Sequence, residues 1–419
     1  MNNRTKIDKL VELQYESYPY PERDPLDEKR RLVTGSPSNL AEVNHYIFGG
    51  KMDLSKPLSV LVAGGGTGDG AIQMAQQMTD LSVPGQVMHL DLSESSQKIA
   101  RKRASVRGLK NIYFERGSIL DVKKILPGPW DYIDCCGVLH HLDDPQLGLN
   151  TLVEVLAPNG GIGAMVYGEL GRFGVYHIQE MMRVIAPFGE EEALRVLLTK
   201  KLIKNLPETS WLNRNGQIQD HLEGGDPGIY DLFLHARDRA YTVKQIESLI
   251  LEAKLRLVTF IEPYRYDPLI LIKEPQLKKI INKLDYMERA SFAEQLLGNF
   301  KKHIFYLVKK TNQVGKPTLD DASTIPVLVG VDTLEAAKQT PGGGVISVIN
   351  EGHKIDMSVP PLAKAIIELC DGNRDLDEIY SVICKRRSDL QWRDFKNQFD
   401  RLFRVMNSIN RMVLRNIKA

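Results

Sequence analysis

Between Lys56 and Gly168 the chain alternates short, wholly apolar runs with longer stretches whose apolar residues recur every three or four positions. The runs LSVLVA (58–63), VMHLD (87–91), NIYFE (111–115), DYIDCCGVL (131–139) and IGAMVYG (162–168) predict buried strands. GAIQMAQQM, SSQKIARKRASVR and QLGLNTLVEVL (146–156) between them predict helices. Strands apolar on both faces and separated by helices build a parallel sheet covered on both sides. The alternation resumes with a helix over 242–253, which Thr242 is placed to cap, and a strand over 255–262. A helical segment over 275–302 and a strand over 303–310 complete it. The fold class is α/β, with a Rossmann-like sheet of seven strands.

The flanks read differently. Residues 1–50 hold a short helical stretch, the turn-rich YESYPYPERDP (15–25) and a helical NLAEVNHYIF. Tyr18-Pro19 and Tyr20-Pro21 disfavour helix and predict an extended strap. Residues 169–240 interrupt the alternation with helices and a polar, Gly-rich stretch from Asn213 to Gly228. Such an insertion covers a site or makes a dimer contact. Residues 313–330 read as a linker to a small α+β unit over 331–419.

The balance of 55 Lys plus Arg against 53 Asp plus Glu leaves a net charge of +2, which argues against a dedicated nucleic-acid binder. No apolar run is long enough for a membrane helix, and the first residues lack the apolar core of a secretion signal. The four cysteines, Cys135, Cys136, Cys370 and Cys384, suit neither a disulfide framework nor a metal site. Cys135 and Cys136 read as reduced core thiols. Together these features predict a cytoplasmic protein.

The segment with the most chemistry is Val60-Leu61-Val62-Ala63-Gly64-Gly65-Gly66-Thr67-Gly68-Asp69-Gly70. Glycines between a buried strand and a helix let the backbone turn sharply and approach a ligand closely. The helix behind them offers unpaired N–H groups to a polar or anionic group. Asp91, at the end of the next strand, is suited to accept both hydroxyls of a ribose. Loop and acid at this spacing point to a nucleoside cofactor. A dinucleotide fingerprint started at Gly64 fails at Asp69, but Gly66-x-Gly68-x-x-Ala71 satisfies its G/A form, so the loop alone leaves the cofactor open.

Read as Gly64-x-Gly66-x-Gly68, the loop resembles the first motif of class I S-adenosylmethionine (SAM) methyltransferases. HLDLSES (89–95), GSILDV (117–122), DYIDCCGVLHHL (131–142) and VLAPNGGIGAMVYG (155–168) resemble the motifs that follow, and the late strand pair resembles the family's sheet-closing hairpin. The resemblance implies SAM contacts from Gly64, Gly65, Gly66, Gly68, Asp91, Leu92 and Gly137. It also implies an adenine site at Ser118, Ile119 and Asp121. Tyr18 and Tyr20 either close over the cofactor, with ring faces suited to a sulfonium, or form a plain strap packed on the sheet. The acid that the family often carries two residues before the first glycine is Val62 here.

Methyl transfer needs little more than nucleophile and methyl held in line, plus a base where the acceptor must lose a proton. Candidates past the ends of the strands are His140, His141, Tyr167 and Glu169; as alternatives, either His serves as a cap or supporting hydrogen bond, and Tyr167 as wall. In DLFLHARDRAYTV (231–243), His235, Arg237 and Arg239 form either a substrate-facing loop or an internal ion-pair cluster. No metal is expected. PPLAKAIIELCDGNRDLDEIYSVI (360–383) resembles the small winged-helix domain of the PqqD type, which implies a peptide-holding or dimerising role. The expected partners are a peptide or protein substrate, or a small molecule, and a second copy of the chain. A SAM-binding scaffold without catalysis and an NAD-linked oxidoreductase stand as alternatives.

Overall fold

The runs predicted as strands pair side by side: β1 (Leu58–Ala63), β2 (Gly85–Asp91), β3 (Ile112–Arg116), β4 (Trp130–Cys136), β5 (Leu156–Tyr167), β6 (Leu255–Phe260) and β7 (Lys302–Lys309). The computed structural model describes residues 6–416, with 316, 318 and 351 excepted. Strand order is β3-β2-β1-β4-β5-β7-β6. β1 to β5 pair in parallel, and β7 runs antiparallel to both β5 and β6. A dinucleotide-binding sheet carries its sixth strand directly beside the fifth. The antiparallel β7 wedged between them removes the ground for the NAD-linked reading. The chain reverses its direction of winding between β1 and β4, and the crevice outside their carboxyl ends is where open α/β sheets bind ligands.

Alternation along β1 divides the core. Val60 and Val62 face one side, where they pack with α2 (Leu40–Ile47) and α3 (Asp69–Asp80); Leu61 and Ala63 face the other, beneath the helices Pro145–Val155 and Val243–Glu252. Val62 is thus a core residue. Helix Val243–Glu252 opens with the expected cap, a full capping box of Thr242 and Gln245. Two expectations need correction. β5 starts at Leu156, so Pro158 to Gly161 lie within the strand. The segment 275–302 holds two helices, Pro275–Ile281 and Tyr286–Leu297, because Asp285 and Glu288 form a new capping box between them.

Ahead of the sheet, α1 (Lys6–Ser17) and the strap lie across its carboxyl edge, close to α4 (Glu94–Val106). The insertion folds around its own apolar cluster, with Val175, Ile178 and Met182 against Leu232, Phe233 and Leu234.

The stretch read as a linker contains β8 (Ile325–Leu328), which pairs antiparallel with β11 (Met412–Arg415). Between them come the helix Thr333–Gln339, the hairpin of β9 (Gly344–Asn350) and β10 (His353–Val359), and the helices Ala363–Ile367, Leu376–Cys384 and Trp392–Ser408. This unit is bound to α2: the Leu414 N–H donates to His45 Nδ1 (3.0 Å), and the Asn410 amide donates to Glu42 (3.0 Å). Among the described residues no helix is long and apolar enough to cross a membrane.

Candidate active site

The glycine loop leaves β1 with Gly64, Gly66 and Gly68 in the left-handed region, at φ of +76°, +52° and +104°. That region is closed to most side chains. A Cβ on Gly64 would also run into Val138, and one on Gly66 would stand 2.8 Å from the Tyr20 carbonyl oxygen. No side chain caps α3, so its first-turn donors stay open toward the loop. Asp91, at the end of β2, accepts from the Gly66 N–H (2.7 Å) and the Ser93 N–H (2.8 Å). An ionised carboxylate has about four acceptor positions. Two therefore remain for a ribose.

Gly64, Gly65, Gly66, Asp91, Leu92, Ser118, Asp121 and Gly137 are all partly accessible, and Ile119 is buried beneath them. The Ser118 hydroxyl accepts from the Leu120 N–H and so shapes the turn bearing Asp121. Cys135 is buried as expected. Cys136 is not a core thiol: it is exposed, because β4 ends at this position. Loop, acid and accessible strand ends fit an adenosyl group.

The strap is held against this loop. Thr67 donates its hydroxyl to the Pro21 carbonyl (2.8 Å), and Arg23 bonds both oxygens of Asp69 (2.9 and 2.6 Å). Arg103, 1% exposed, joins Asp69 (2.6 Å) to Glu28 (2.6 and 2.8 Å) from the opposite side. Tyr20 reaches the loop with its backbone. Tyr18 lies away from it, its ring stacked on Tyr230 at 4.8 Å. One turn earlier, Glu16 accepts from the N–H groups of Glu94 and Ser95 and so caps α4 from a distance. Burial raises the Glu16 carboxyl, but the hydrogen bonds from Ser95 and Glu94 outweigh it and the pKa is lowered.

Near the loop, folding gathers residues from four segments. Asp231 accepts the Tyr15 hydroxyl on one oxygen (3.2 Å) and the Tyr167 hydroxyl on the other (3.0 Å). Tyr15 also meets His235 Nε2 (3.1 Å). Burial first, and then the Asp231 carboxylate, push both phenols well above their ordinary range, so they remain donors. Asp91 acts electrostatically on Tyr15, and Ser93, two residues further on, donates its hydroxyl to the Tyr15 carbonyl (3.0 Å), so the cluster lies near Asp91.

His235 and His141 stack at 3.9 Å, and the backbone of one residue orients both: the Arg237 N–H donates to His235 Nδ1 (3.0 Å), and the Arg237 carbonyl faces His141 Nδ1 (2.9 Å). Burial, then repulsion from His141 and Arg172, lowers the His235 pKa well below the usual histidine range, so that ring is neutral. His140, fully buried between His141 and Tyr167, has neither ring nitrogen hydrogen-bonded, and burial keeps it neutral.

Of the 231–243 segment, His235 enters the cluster, whereas Arg237 contributes its backbone and pairs with Asp143 (3.3 Å). Arg239 is exposed, with its guanidinium 4.8 Å over Tyr241. The ion pair in this region is Arg172–Asp238 (2.8 Å), both side chains buried, with the Arg172 guanidinium 3.7 Å over the Tyr167 ring. Glu169 is exposed and lines a hollow with Tyr176 and His177.

Sequence reasoning passed over Tyr15, Asp231 and Arg172, none of which sits in a recognisable pattern. His141, Asp231 and His235 bring ligand-type atoms within 4.8 Å of one another. The bond from the Arg237 N–H takes the Nδ1 lone pair of His235 and leaves the hydrogen on Nε2. A metal ligand would need that position bare, so the cluster is a hydrogen-bonded one.

Residues 61–162 match a family model described as a methyltransferase domain. That match makes residues 61–162 a methyltransferase domain, and the seven-stranded sheet gives the chain its fold. PKMT2 from Rickettsia typhi shares its fold over 91% of this chain and 75% of that one, with a TM-score of 0.63 at 18% identity. The same protein in complex with AdoHcy gives a TM-score of 0.62 at 17% identity over 91% and 76%. In sequence the chain is 28% identical over 273 residues to an uncharacterized protein of a Synechococcus strain, 62% of each chain. It is 36% identical over 115 residues to the tRNA 5-carboxymethoxyuridine methyltransferase of Escherichia coli, 27% of this chain and 42% of that one. The chain spans less than two thirds of the length of these curated relatives. The methyltransferase domain thus accounts for the glycine loop and Asp91, while the Tyr15–Asp231 cluster is built by segments outside the matched residues.

Proposed function

We propose that the protein transfers the methyl group of SAM to a side chain of a peptide or protein. The observation that carries this reading is the nearness of the glycine loop and Asp91 to the Tyr15–Tyr167–Asp231 cluster, which Ser93 joins through the Tyr15 carbonyl. The Gly64–Gly68 loop and the start of α3 would hold the polar methionine end, Asp91 the ribose, and Ser118, Ile119 and Asp121 the adenine. Once bound, the cofactor supplies a methyl group made electrophilic by a sulfonium. The strap and α1 exclude water above it, and the phenols of Tyr15 and Tyr167, fixed by Asp231, orient the acceptor. Positioning of this kind supplies roughly 7–11 kcal/mol toward such displacements.

The peptide acceptor is supported by the insertion. A groove of about 530 Å³, lined by Tyr176, His177, Glu180, Met181 and Trp211 among others, adjoins through Tyr176 and His177 a hollow of about 380 Å³ that reaches Glu169, just past β5. Two hollows that share Tyr176 and His177 leave room for successive side chains of a peptide. Methyl-labelled SAM incubated with a bacterial extract tests the proposal: label should enter the protein fraction. Label confined to RNA or to small molecules would overturn the peptide assignment, and no incorporation would overturn the transfer itself.

A further inference from the structure

We infer that His141 is the general base of the reaction, and that the acceptor is therefore a protic nucleophile, a hydroxyl or an amine, that gives up a proton as it is methylated. The inference rests on the methyl-transfer reading above and adds to it the fate of the proton.

The Arg237 backbone meets both stacked rings. A carbonyl only accepts, so the contact at 2.9 Å requires His141 Nδ1 to carry its hydrogen, which leaves Nε2 as the one ring position where a proton can be taken up. The Arg237 N–H enforces the opposite tautomer on His235, whose Nε2–H is directed at the Tyr15 oxygen. The Tyr15 hydroxyl in turn donates to Asp231 (3.2 Å). Of the two stacked rings, then, His235 has both nitrogens engaged in the protein, and His141 presents a basic nitrogen. Such opposite settings of adjacent imidazoles are hard to reconcile with mere packing.

The surroundings suit a ring that becomes positive. The groups facing His141 are His140 from its own turn, Tyr15 from α1, Tyr167 from β5, and Asp231, His235 and the Arg237 backbone from the insertion; Arg172, beyond β5, acts on the neighbouring His140 and His235. Among these, Asp231 is the acidic group, lying within 4.8 Å, and His141 acts on it electrostatically. Burial raises Asp231, while His141, the Tyr167 hydroxyl and Arg172 favour its charged form. A proton arriving on His141 meets a carboxylate whose oxygens are both already oriented by phenols. His140 and His235, kept neutral by burial, do not compete for it.

In the step itself, a lone pair of the acceptor forms the bond to the methyl carbon. The carbon–sulfur bond breaks with its electron pair remaining on sulfur, and the proton of the acceptor passes to His141 Nε2. The imidazolium returns that proton to solvent after product leaves. Tyr15, Asp231 and His235 are positioning residues in this scheme.

Two measurements test it. In protein labelled with ¹⁵N-histidine and free of cofactor, nitrogen chemical shifts should show His141 as the Nδ1–H tautomer and His235 as the Nε2–H tautomer, with assignments from His141→Gln and His235→Gln. The Nε2–H form at His141 would overturn the proposal without touching the cofactor site. Using methyl-labelled SAM and the extract protein fraction, His141→Ala should transfer label at least about 100-fold more slowly, and added imidazole should restore part of the rate. A rate within tenfold of the natural protein, no response to imidazole, or a methylated atom that bore no proton would each overturn it. Absence of transfer by the natural protein would instead defeat the reading on which the inference rests, and the inference with it.

Discussion

Arg23 grips Asp69 through two hydrogen bonds of 2.9 and 2.6 Å, and so ties the N-terminal strap to the first residue of the helix behind the glycine loop. Each side chain is 28% exposed, so the pair itself contributes at most about 1 kcal/mol to stability. Its consequence lies in the cleft. Arg23→Ala should leave the melting temperature within a few degrees while weakening S-adenosylhomocysteine binding by roughly threefold to tenfold, because the strap no longer rests on the loop. Titration calorimetry reads the affinity; unchanged binding would show that the strap is a passive cover.

Asp91 holds the Gly66 and Ser93 N–H groups, and on the proposed reading its remaining acceptor positions take a ribose. Asp91→Asn keeps the shape and removes the charge. Charge-assisted hydrogen bonds are worth about 1.5–3 kcal/mol each, so affinity for S-adenosylhomocysteine should fall at least about tenfold. Unaltered affinity would remove Asp91 from the cofactor site.

The contrast between the loop and the Tyr15–Asp231 cluster explains what was legible beforehand. The glycine loop, Asp91 and the seven strands are local features: a left-handed turn needs Gly64, Gly66 and Gly68 where they stand, and a buried strand needs its apolar run. Even the cap at Thr242 is written within four residues. The cluster is not local. Tyr15 and Asp231 are 216 positions apart, and Tyr15 and His235 are 220 apart. Nothing in the pattern of α1 or of the insertion marks either residue, since their meeting depends on how both elements close over the ends of β4 and β5. For the same reason His235, Arg237 and Arg239 read as one group, although folding sends them in three directions. β8 escaped because a short strand between turn residues carries little signal until β11 pairs with it.

Arg172 and Asp238 bear on stability more than any exposed pair, because neither charge reaches water. Arg172→Met strands the Asp238 carboxylate, which also accepts from Gln179 (3.0 Å), and should cost about 3–5 kcal/mol. Combining it with Asp238→Leu should recover most of that loss. Urea midpoints of the single and double variants check this; equal losses in both would mean that packing over Tyr167, not charge, is what Arg172 supplies.

Burial pushes the Asp134 carboxyl up to about 6, although the Ser38 hydroxyl donates to it at 2.5 Å. An acid whose pKa is raised by folding favours the folded state while it is protonated. That contribution is complete below the ordinary aspartate value of 3.8 and is lost as the pH climbs through about 6. Asp134→Asn keeps an acceptor for Ser38 and cannot ionise. Relative to the natural protein, its melting temperature should therefore be higher at pH 7.5 than at pH 5. A difference independent of pH would show that Asp134 does not titrate in this range.

The central claim is that the half-buried loop at Gly64–Gly68, with Asp91 beside it, holds the adenosyl cofactor of methyl transfer. Isothermal titration of the full chain with SAM and with S-adenosylhomocysteine tests it directly. The account predicts saturable binding of both, weakened by Asp91→Asn; no heat from either at millimolar ligand would contradict it.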